Sequence, residues 1–517
     1  MSRAEARWAT APTRWSTERL SAETAWVLWL ILATALLRVG FGWALGLGVD
    51  ESYMVASGRR LTLGYFDHPP ISWWMQWIAV HLFGTDSPLA VRTPFILTFA
   101  LSTWLMYRLG TAVADRRAGL WAAVALNLSP VFGVTTASWV LPDGPLDCAL
   151  LGAALCLIKA LSLAPLPLAG EARVAWTGAG LCAGVALLSK YTAILTIGGA
   201  TLFLLTSPRH RRWLARPEPY IAGLLAIAVF SPAIIWNATH GWASFAFQGD
   251  RATGWQFRPW RPIVVLAGEA LFVLPWIWLP LIVAFVAALR RGPEDWRSWL
   301  LCCLGAPPIV LFALISAWST QRVMFHWAAP GYLMLFPLLG QVIADWIGAR
   351  WVRRVITGTA VLVIGAVIVV STQSRLDWMH PVIAAVAKHD PDVEGIDWTS
   401  LRDKLAARDL LKPGVIVGVP NWRDAGKIAY ALGPEATVTV LNTDARQFGF
   451  VAPASVFSGR DLLVLTLDDP GRARRELSPW FSALEPLPPA AIDDNGISLQ
   501  SVSVFLGTNL HVPPHHI

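Results

Sequence analysis

Long apolar runs alternate with short polar connections along this chain, and most of the runs have the length of a bilayer crossing. A helix needs roughly 20 apolar residues to cross the hydrocarbon, or about 17 where flanking residues help. The pattern predicts spans at 25–46, 89–110, 118–136, 144–162, 175–189, 191–207, 219–236, 262–289, 298–317, 327–347 and 354–371. That makes about 11 transmembrane helices; the fifth and sixth are short enough to read also as a re-entrant pair, so the range is 10–13.

After residue 371 the pattern changes. Charges return, and short apolar runs at 414–420, 436–441 and 461–467 read as buried strands. Between the first two, residues 422–433 have helical spacing and end on Gly433, a suitable C-cap. These runs predict a small α/β domain, within 372–517. Pro486, Pro488, Pro489, Pro513 and Pro514 read as loop or tail. No repeat of solenoid length is evident.

Composition supports the membrane reading: 55% of the 517 residues are hydrophobic and 15% charged, more apolar surface than a soluble core absorbs. Many of the 29 tryptophans stand near run ends, where an amphipathic ring prefers the headgroup level. The net charge of +7 is spread in short clusters between runs, which speaks for topology and against nucleic acid. All five cysteines lie in apolar segments without metal spacing, so neither disulfides nor structural zinc are expected. The first 24 residues carry Arg3, Arg7, Arg14 and Arg19 but no clear cleavage site, and the span that follows reads as an uncleaved anchor.

With residues 1–24 cytoplasmic, Arg116 and Arg117, Arg173, Arg209 with Arg211 and Arg212, Arg290 and Arg291, and Arg350 with Arg353 and Arg354 all fall inside. The other connections, including the first loop at 47–88, and the C-terminal domain then fall outside, in a plasma (inner) membrane protein. Those outer connections hold nearly every unusual polar residue: Asp50, Glu51, Tyr53, Arg59, Arg60, Tyr65, Asp67, His68, Asp143, Lys190, His240, Arg251, Arg258, Arg261, Arg322 and His326. Cations on the outer side call for an anionic compensator.

Each piece has a plainer reading. Asp50 and Glu51 also read as solvated loop acids, Lys190 as a snorkelling side chain, His240 as a satisfied loop histidine, and Asp143 with Asp147 as helix-start acids. His68-Pro69-Pro70 most simply starts the helix 71–84, whose tryptophans anchor it at the membrane surface. No P-loop, dinucleotide fingerprint, nucleophile elbow or zinc helix is found. A lipid-phosphate sugar would suit the set: its tail in the bilayer, its phosphate on Arg or Lys, and a carboxylate activating the acceptor hydroxyl. Paired acids also bind a divalent cation through oxygen, which leaves that cofactor open, and no metal ligand is assigned.

The stretches VDESY, GYFDHPP, LPDGP, LSKYTA, SPAIIWNATHGWASFAFQ and HWAAPGY, in that order over residues 25–350, resemble the bacterial branch of the dolichyl-phosphate-mannose protein mannosyltransferase-like glycosyltransferases, family 39, whose relatives include aminoarabinose and galacturonic acid transferases acting on lipid A and lipopolysaccharide. The resemblance implies a GT-C membrane enzyme with its catalytic part in 25–371, using a polyprenyl-phosphate sugar, usually with inversion, toward a lipid, glycan or protein acceptor. It places the first-loop acid on Asp50, as general base or acceptor orienter, with Glu51 beside it, and the second first-loop motif on Tyr65 and Asp67. His68 stands where the aminoarabinose enzymes carry lysine, and Tyr53 where a basic residue follows the acid pair. The phosphate is then left to Lys190, Arg251 or Arg322. A lipid-linked solute transporter or flippase, and a structural assembly subunit, are the rival classes; a transporter calls for an inverted repeat, which is not seen.

Overall fold

A computed structural model describes residues 21–163, 170–250, 254–380, 392–494 and 496–513. Arg251 and residues 1–20 lie outside the described residues. The membrane part comprises α1 (Ala22–Ala44), α2 (Val49–Ser57), α3 (Ile71–Phe83), α4 (Pro88–Val113), α5 (Arg116–Leu128), α6 (Asp143–Ser162), α7 (Gly170–Ser189), α8 (Ala193–Thr206), α9 (Glu218–Thr239), α10 (Ala243–Asp250), α11 (Arg261–Val273), α12 (Pro275–Arg291), α13 (Trp296–Ser316), α14 (Ala329–Trp346) and α15 (Arg350–Leu376).

Among the described residues eight helices are long and apolar enough to cross a membrane: α1, α4, α6, α7, α9, α12 with the turn after it, α13 and α15. The remaining runs read as spans are broken or shorter. The run 262–289 is two helices hinged at Leu274, whose φ of 83° interrupts the hydrogen-bond ladder before Pro275. The run 118–136 is α5 followed by a π-helical turn, Val131–Thr136. By contrast α7 has 20 residues, longer than its apolar run. Local chemistry sets many of the ends. The Ser21 hydroxyl accepts from Thr24 N and the Asp115 carboxylate from Ala118 N, satisfying amide groups that a first helical turn leaves orphaned. α3 follows Pro69-Pro70 and stops at Gly84, whose φ of 66° suits glycine.

The first loop is folded. Gly48 N donates to Glu51 Oε2 at 3.0 Å, a one-sided cap that starts α2 on the residues flanking Asp50. The C-terminal domain then sits on this helix. It contains α16 (Asp392–Gly395), α17 (Thr399–Ala407), α18 (Trp422–Leu432), α19 (Phe448–Val451) and α20 (Pro470–Leu477), with β1 (Ile416–Val419), β2 (Thr437–Val440), β3 (Leu462–Thr466), β4 (Phe481–Asp494) and β5 (Ile497–Leu510). The sheet order is β2-β1-β3-β5-β4: β1 is parallel to β2 and β3, while β5 is antiparallel to β3 and β4.

The three apolar runs of the tail and its helix lie where the pattern puts them, and Gly433 ends α18 with a φ of 82°. The β4–β5 hairpin corrects the reading of Pro486, Pro488 and Pro489 as loop. β4 is the sheet edge, where a missing N–H is harmless, and the ladder slips between Leu487 and Ala490 to pass the two adjacent prolines.

α18 docks directly on α2. A Cβ on Gly426 would stand 2.8 Å from Tyr53 Cα, so only glycine permits this approach. Beside it the buried Lys427 ammonium donates to Leu47 O at 2.7 Å, Ile396 O at 2.6 Å and Glu394 O at 3.2 Å. Burial pushes its pKa down to about 8. We expect Lys427→Ala to orphan three buried carbonyl groups and loosen the domain by about 1–3 kcal/mol, seen as faster proteolytic release of the C-terminal domain from purified protein.

Candidate functional site

In the loop between α1 and α4, Glu51 and Asp67 are each fixed in a knot, Arg59 pairs with Asp86, and Asp50 is left free. In the first knot Arg92, one turn into α4, is 1% exposed and grips Glu51 with two prongs, Nε to Oε1 at 2.8 Å and Nη2 to Oε2 at 2.5 Å. The same guanidinium donates to Gly42 O, Leu45 O and Gly46 O at 3.1, 2.8 and 2.7 Å, the carbonyls left open where α1 ends. Val140 N adds a bond to Glu51 Oε1 at 3.0 Å. Burial alone would favour the neutral acid, but the Arg92 charge and these hydrogen bonds overcome it and hold the Glu51 carboxyl below its ordinary value.

In the second knot Tyr53 donates its hydroxyl to Asp67 Oδ2, and Arg446 from the C-terminal domain pairs with Asp67 Oδ1. Gln447 closes it from both sides: its backbone N donates to Tyr53 Oη at 2.9 Å, and its side chain accepts from Phe66 N at 2.9 Å. Arg446 is sandwiched, its guanidinium carbon 4.7 Å from the Phe247 ring and 4.4 Å from the Trp422 ring. Burial, and then Asp67, raise the Tyr53 phenol well above its usual pKa, so it stays the donor.

Between the knots Asp50 is exposed and forms no hydrogen bond or ion pair among the described residues. The surrounding protein strips enough water from it to raise its carboxyl above the ordinary value; Asp67 and Glu51 add to the rise, while Arg423 and Arg446 oppose it. A free carboxylate held by a rigid helix, with its charge partly destabilised, is chemically a base.

A third group lies deeper. Lys190 Nζ donates to Asp143 Oδ1 at 2.9 Å, with both side chains buried, and His68 and His326 face the same carboxylate electrostatically. Residues 67–68 therefore link the Asp50 neighbourhood to the Lys190 pair. One turn further into α6, Asp147 is 2% exposed.

The other candidates stand elsewhere. Tyr65 is fully buried, stacked on Trp73 with centroids 4.4 Å apart and its hydroxyl on Arg60 O at 3.2 Å, which makes it packing under the loop. His240 lies exposed against Trp236, 4.3 Å between centroids, with Nδ1 2.8 Å from Trp236 O. Arg322 is exposed over Phe325 at 5.7 Å. Among the described residues no group of three His, Cys, Asp or Glu side chains is arranged to hold a metal ion. Sequence reasoning missed Arg92 and Arg446. Arg92 had a signal, a lone arginine inside an apolar run; Arg446 had none, because its loop reads as ordinary domain surface.

Comparison with known proteins bears on this arrangement. Residues 67–236 match the dolichyl-phosphate-mannose-protein mannosyltransferase family. The backbone is similar to that of ArnT from Cupriavidus metallidurans in the apo state, with a TM-score of 0.61 at 15% identity, covering 94% of this chain and 98% of that one. The chain has a GT-C fold. The same protein bound to undecaprenyl phosphate gives a TM-score of 0.58. In sequence the chain is 24% identical over 308 residues to the lipid A galacturonosyltransferase RgtD of Rhizobium johnstonii, covering 58% of this chain and 60% of that protein. It is 29% identical over 283 residues to an undecaprenyl phosphate-alpha-4-amino-4-deoxy-L-arabinose arabinosyl transferase of Sodalis glossinidius, covering 50% and 48%. The chain thus spans between about half and three-fifths of these two relatives.

The knots and the free acid should separate in a stability measurement. Arg92→Met leaves the Glu51 charge buried and unpaired and is expected to cost about 3–5 kcal/mol, whereas Asp50→Asn removes no partner and should fall within about 0.5 kcal/mol. Thermal unfolding of both variants in detergent checks the contrast.

Proposed function

We propose that this protein is an integral membrane glycosyltransferase that moves a sugar from a polyprenyl-phosphate donor to an envelope acceptor, which is lipid A, another glycan or a protein. The reading places the N-terminus in the cytoplasm and the C-terminal domain outside the inner membrane, with residues 25–371 as the catalytic part. The observation that carries it is Asp50: the one acid of the first loop left free while its neighbours Glu51 and Asp67 are spent on structure. The relatives named above, whose names speak of lipid A and undecaprenyl phosphate, support the same substrate class.

In this reading Asp50 takes the proton of the acceptor hydroxyl as that oxygen attacks the anomeric carbon. The bond from that carbon to the phosphate oxygen breaks on the opposite face, and the polyprenyl phosphate leaves with the electron pair, so the configuration inverts. Glu51 is a positioning residue: its bond to Gly48 N fixes the first turn of α2 and so the direction of Asp50. Tyr53, Asp67 and Arg446 hold the other wall. Lys190 is the cation for the departing phosphate in this reading, its ammonium already oriented by Asp143, with the His68 and His326 imidazoles near the same carboxylate.

Asp50→Asn should lower transfer from a polyprenyl-phosphate sugar by about 10²–10⁴-fold with folding intact; full turnover would remove Asp50 from the chemistry. The base works only when ionised, and its raised pKa means that it protonates at a higher pH than a free aspartate on acidification. The acid limb of kcat/KM is therefore expected above about pH 4, and it should move in Asp50→Glu.

Lys190→Ala should raise KM for the donor more than it lowers membrane insertion, as read by donor titration and membrane fractionation. Unchanged donor affinity would leave Lys190 only its pairing with Asp143.

A further inference from the structure

At the end of the bundle carrying Arg116, Arg117, Arg350, Arg353 and Arg354, cytoplasmic in the orientation above, four helices fail to close on one another. α5, α12, α14 and α15 surround an apolar cavity of about 350 Å³, lined by Leu128, Trp276, Ile343, Trp346, Trp351 and Val355 among others. The cause is the way α15 is attached. Its outer end is pinned to α1: Ser374 Oγ donates to Ala44 O at 3.3 Å, and Arg375 donates to Trp43 O and covers the Trp43 ring at 4.3 Å. At mid-length Trp276 Nε1 donates to Thr359 Oγ1 at 2.8 Å and closes the inner end of the cavity. Between that bond and Arg350 no hydrogen bond joins α15 to another helix among the described residues, and only Val352 is buried there.

A space of this size has room for an apolar guest, since apolar cavities of about 150 Å³ already take them up. This one opens sideways to hydrocarbon, so the guest is a chain and not water. The rim identifies its head. Trp346 and Trp351 stand at the mouth with centroids 6.3 Å apart, the level favoured by headgroup-facing rings. Arg117 lies on the same face of α5 as the lining residues Val124 and Leu128, and its Nη2 reaches Ala344 O of α14 at 3.4 Å. Arg116, Arg350, Arg353 and Arg354 are exposed around it without an acidic partner among the described residues, and the nearby Asp345 pairs with none of them.

We propose that this cavity holds an acyl chain of an anionic glycerophospholipid of the same leaflet, with its phosphate on Arg117 and the neighbouring arginines. The bound lipid fills the wedge under α15 and so steadies the helix that leads to the C-terminal domain. The site lies at the opposite end of the bundle from Asp50 and does not rest on the transfer chemistry.

The test uses full-length protein in mild detergent, native mass spectrometry, and added phosphatidylglycerol or phosphatidylethanolamine. The parent should retain one phosphatidylglycerol in preference to phosphatidylethanolamine. Arg117→Gln should weaken that preference by about fivefold, the share of one cation near a charged headgroup. Val355→Trp, a change on a half-exposed apolar face, should obstruct the cavity and abolish the retained adduct. Asp50→Asn should keep it, which separates this site from the transfer site. Equal retention of the two lipids by the parent, or an adduct that survives in Val355→Trp, would overturn the proposal.

Discussion

The buried pair of Arg92 and Glu51 is the constraint on which the end of the molecule bearing Asp50 depends. Two charges taken out of water cost several kcal/mol each, and their attraction offsets that only when every remaining donor and lone pair is also satisfied. Here the leftover donors of Arg92 go to the carbonyls at the end of α1, and the leftover acceptors of Glu51 go to Gly48 N and Val140 N. Because no member has a second choice, α1, α2, α4 and the start of α6 hold one mutual geometry. α2 is nine residues long, too short to be a stable helix by itself, and it is ordered by this pair on one side and by the C-terminal domain on the other.

The C-terminal domain is thereby part of the site. Its α18 presses on α2 at Gly426, its Lys427 ties down Leu47, and its Arg446 completes the partners of Asp67. Arg446 is well suited to this place: a planar cation stacks between Phe247 and Trp422 while its edge still meets a carboxylate, which a lysine does not reproduce. With Glu51 and Asp67 consumed in this way, Asp50 is left without a partner among the described residues. Carboxylates a few residues apart thus acquire different bonding from their surroundings alone.

The two ends of the bundle are built on different principles. The end bearing Asp50 is fixed by directional polar contacts, which suit the transfer chemistry proposed for it. At the other end α15 leans on apolar packing only, and its wedge-shaped gap is the shape that a lipid chain fills.

Much was legible from residue order. Apolar runs of membrane length mark the helices because the bilayer leaves no other way to satisfy a backbone, and the three strands and one helix of the tail show because their apolar residues are consecutive or helically spaced. The first-loop acids stood out because charge at a membrane boundary is costly. Sequence alone did not show that α2 is a helix, that the proline-rich segment after Trp480 is an edge strand, or that the run 262–289 breaks at Leu274. Each of these depends on neighbours distant in the chain. The same holds for the division of labour among Asp50, Glu51 and Asp67: residue type and spacing determined that carboxylates gather at the membrane surface, but only the tertiary structure decided which of them stays free, because Arg92 and Arg446 arrive from 41 and 379 residues away.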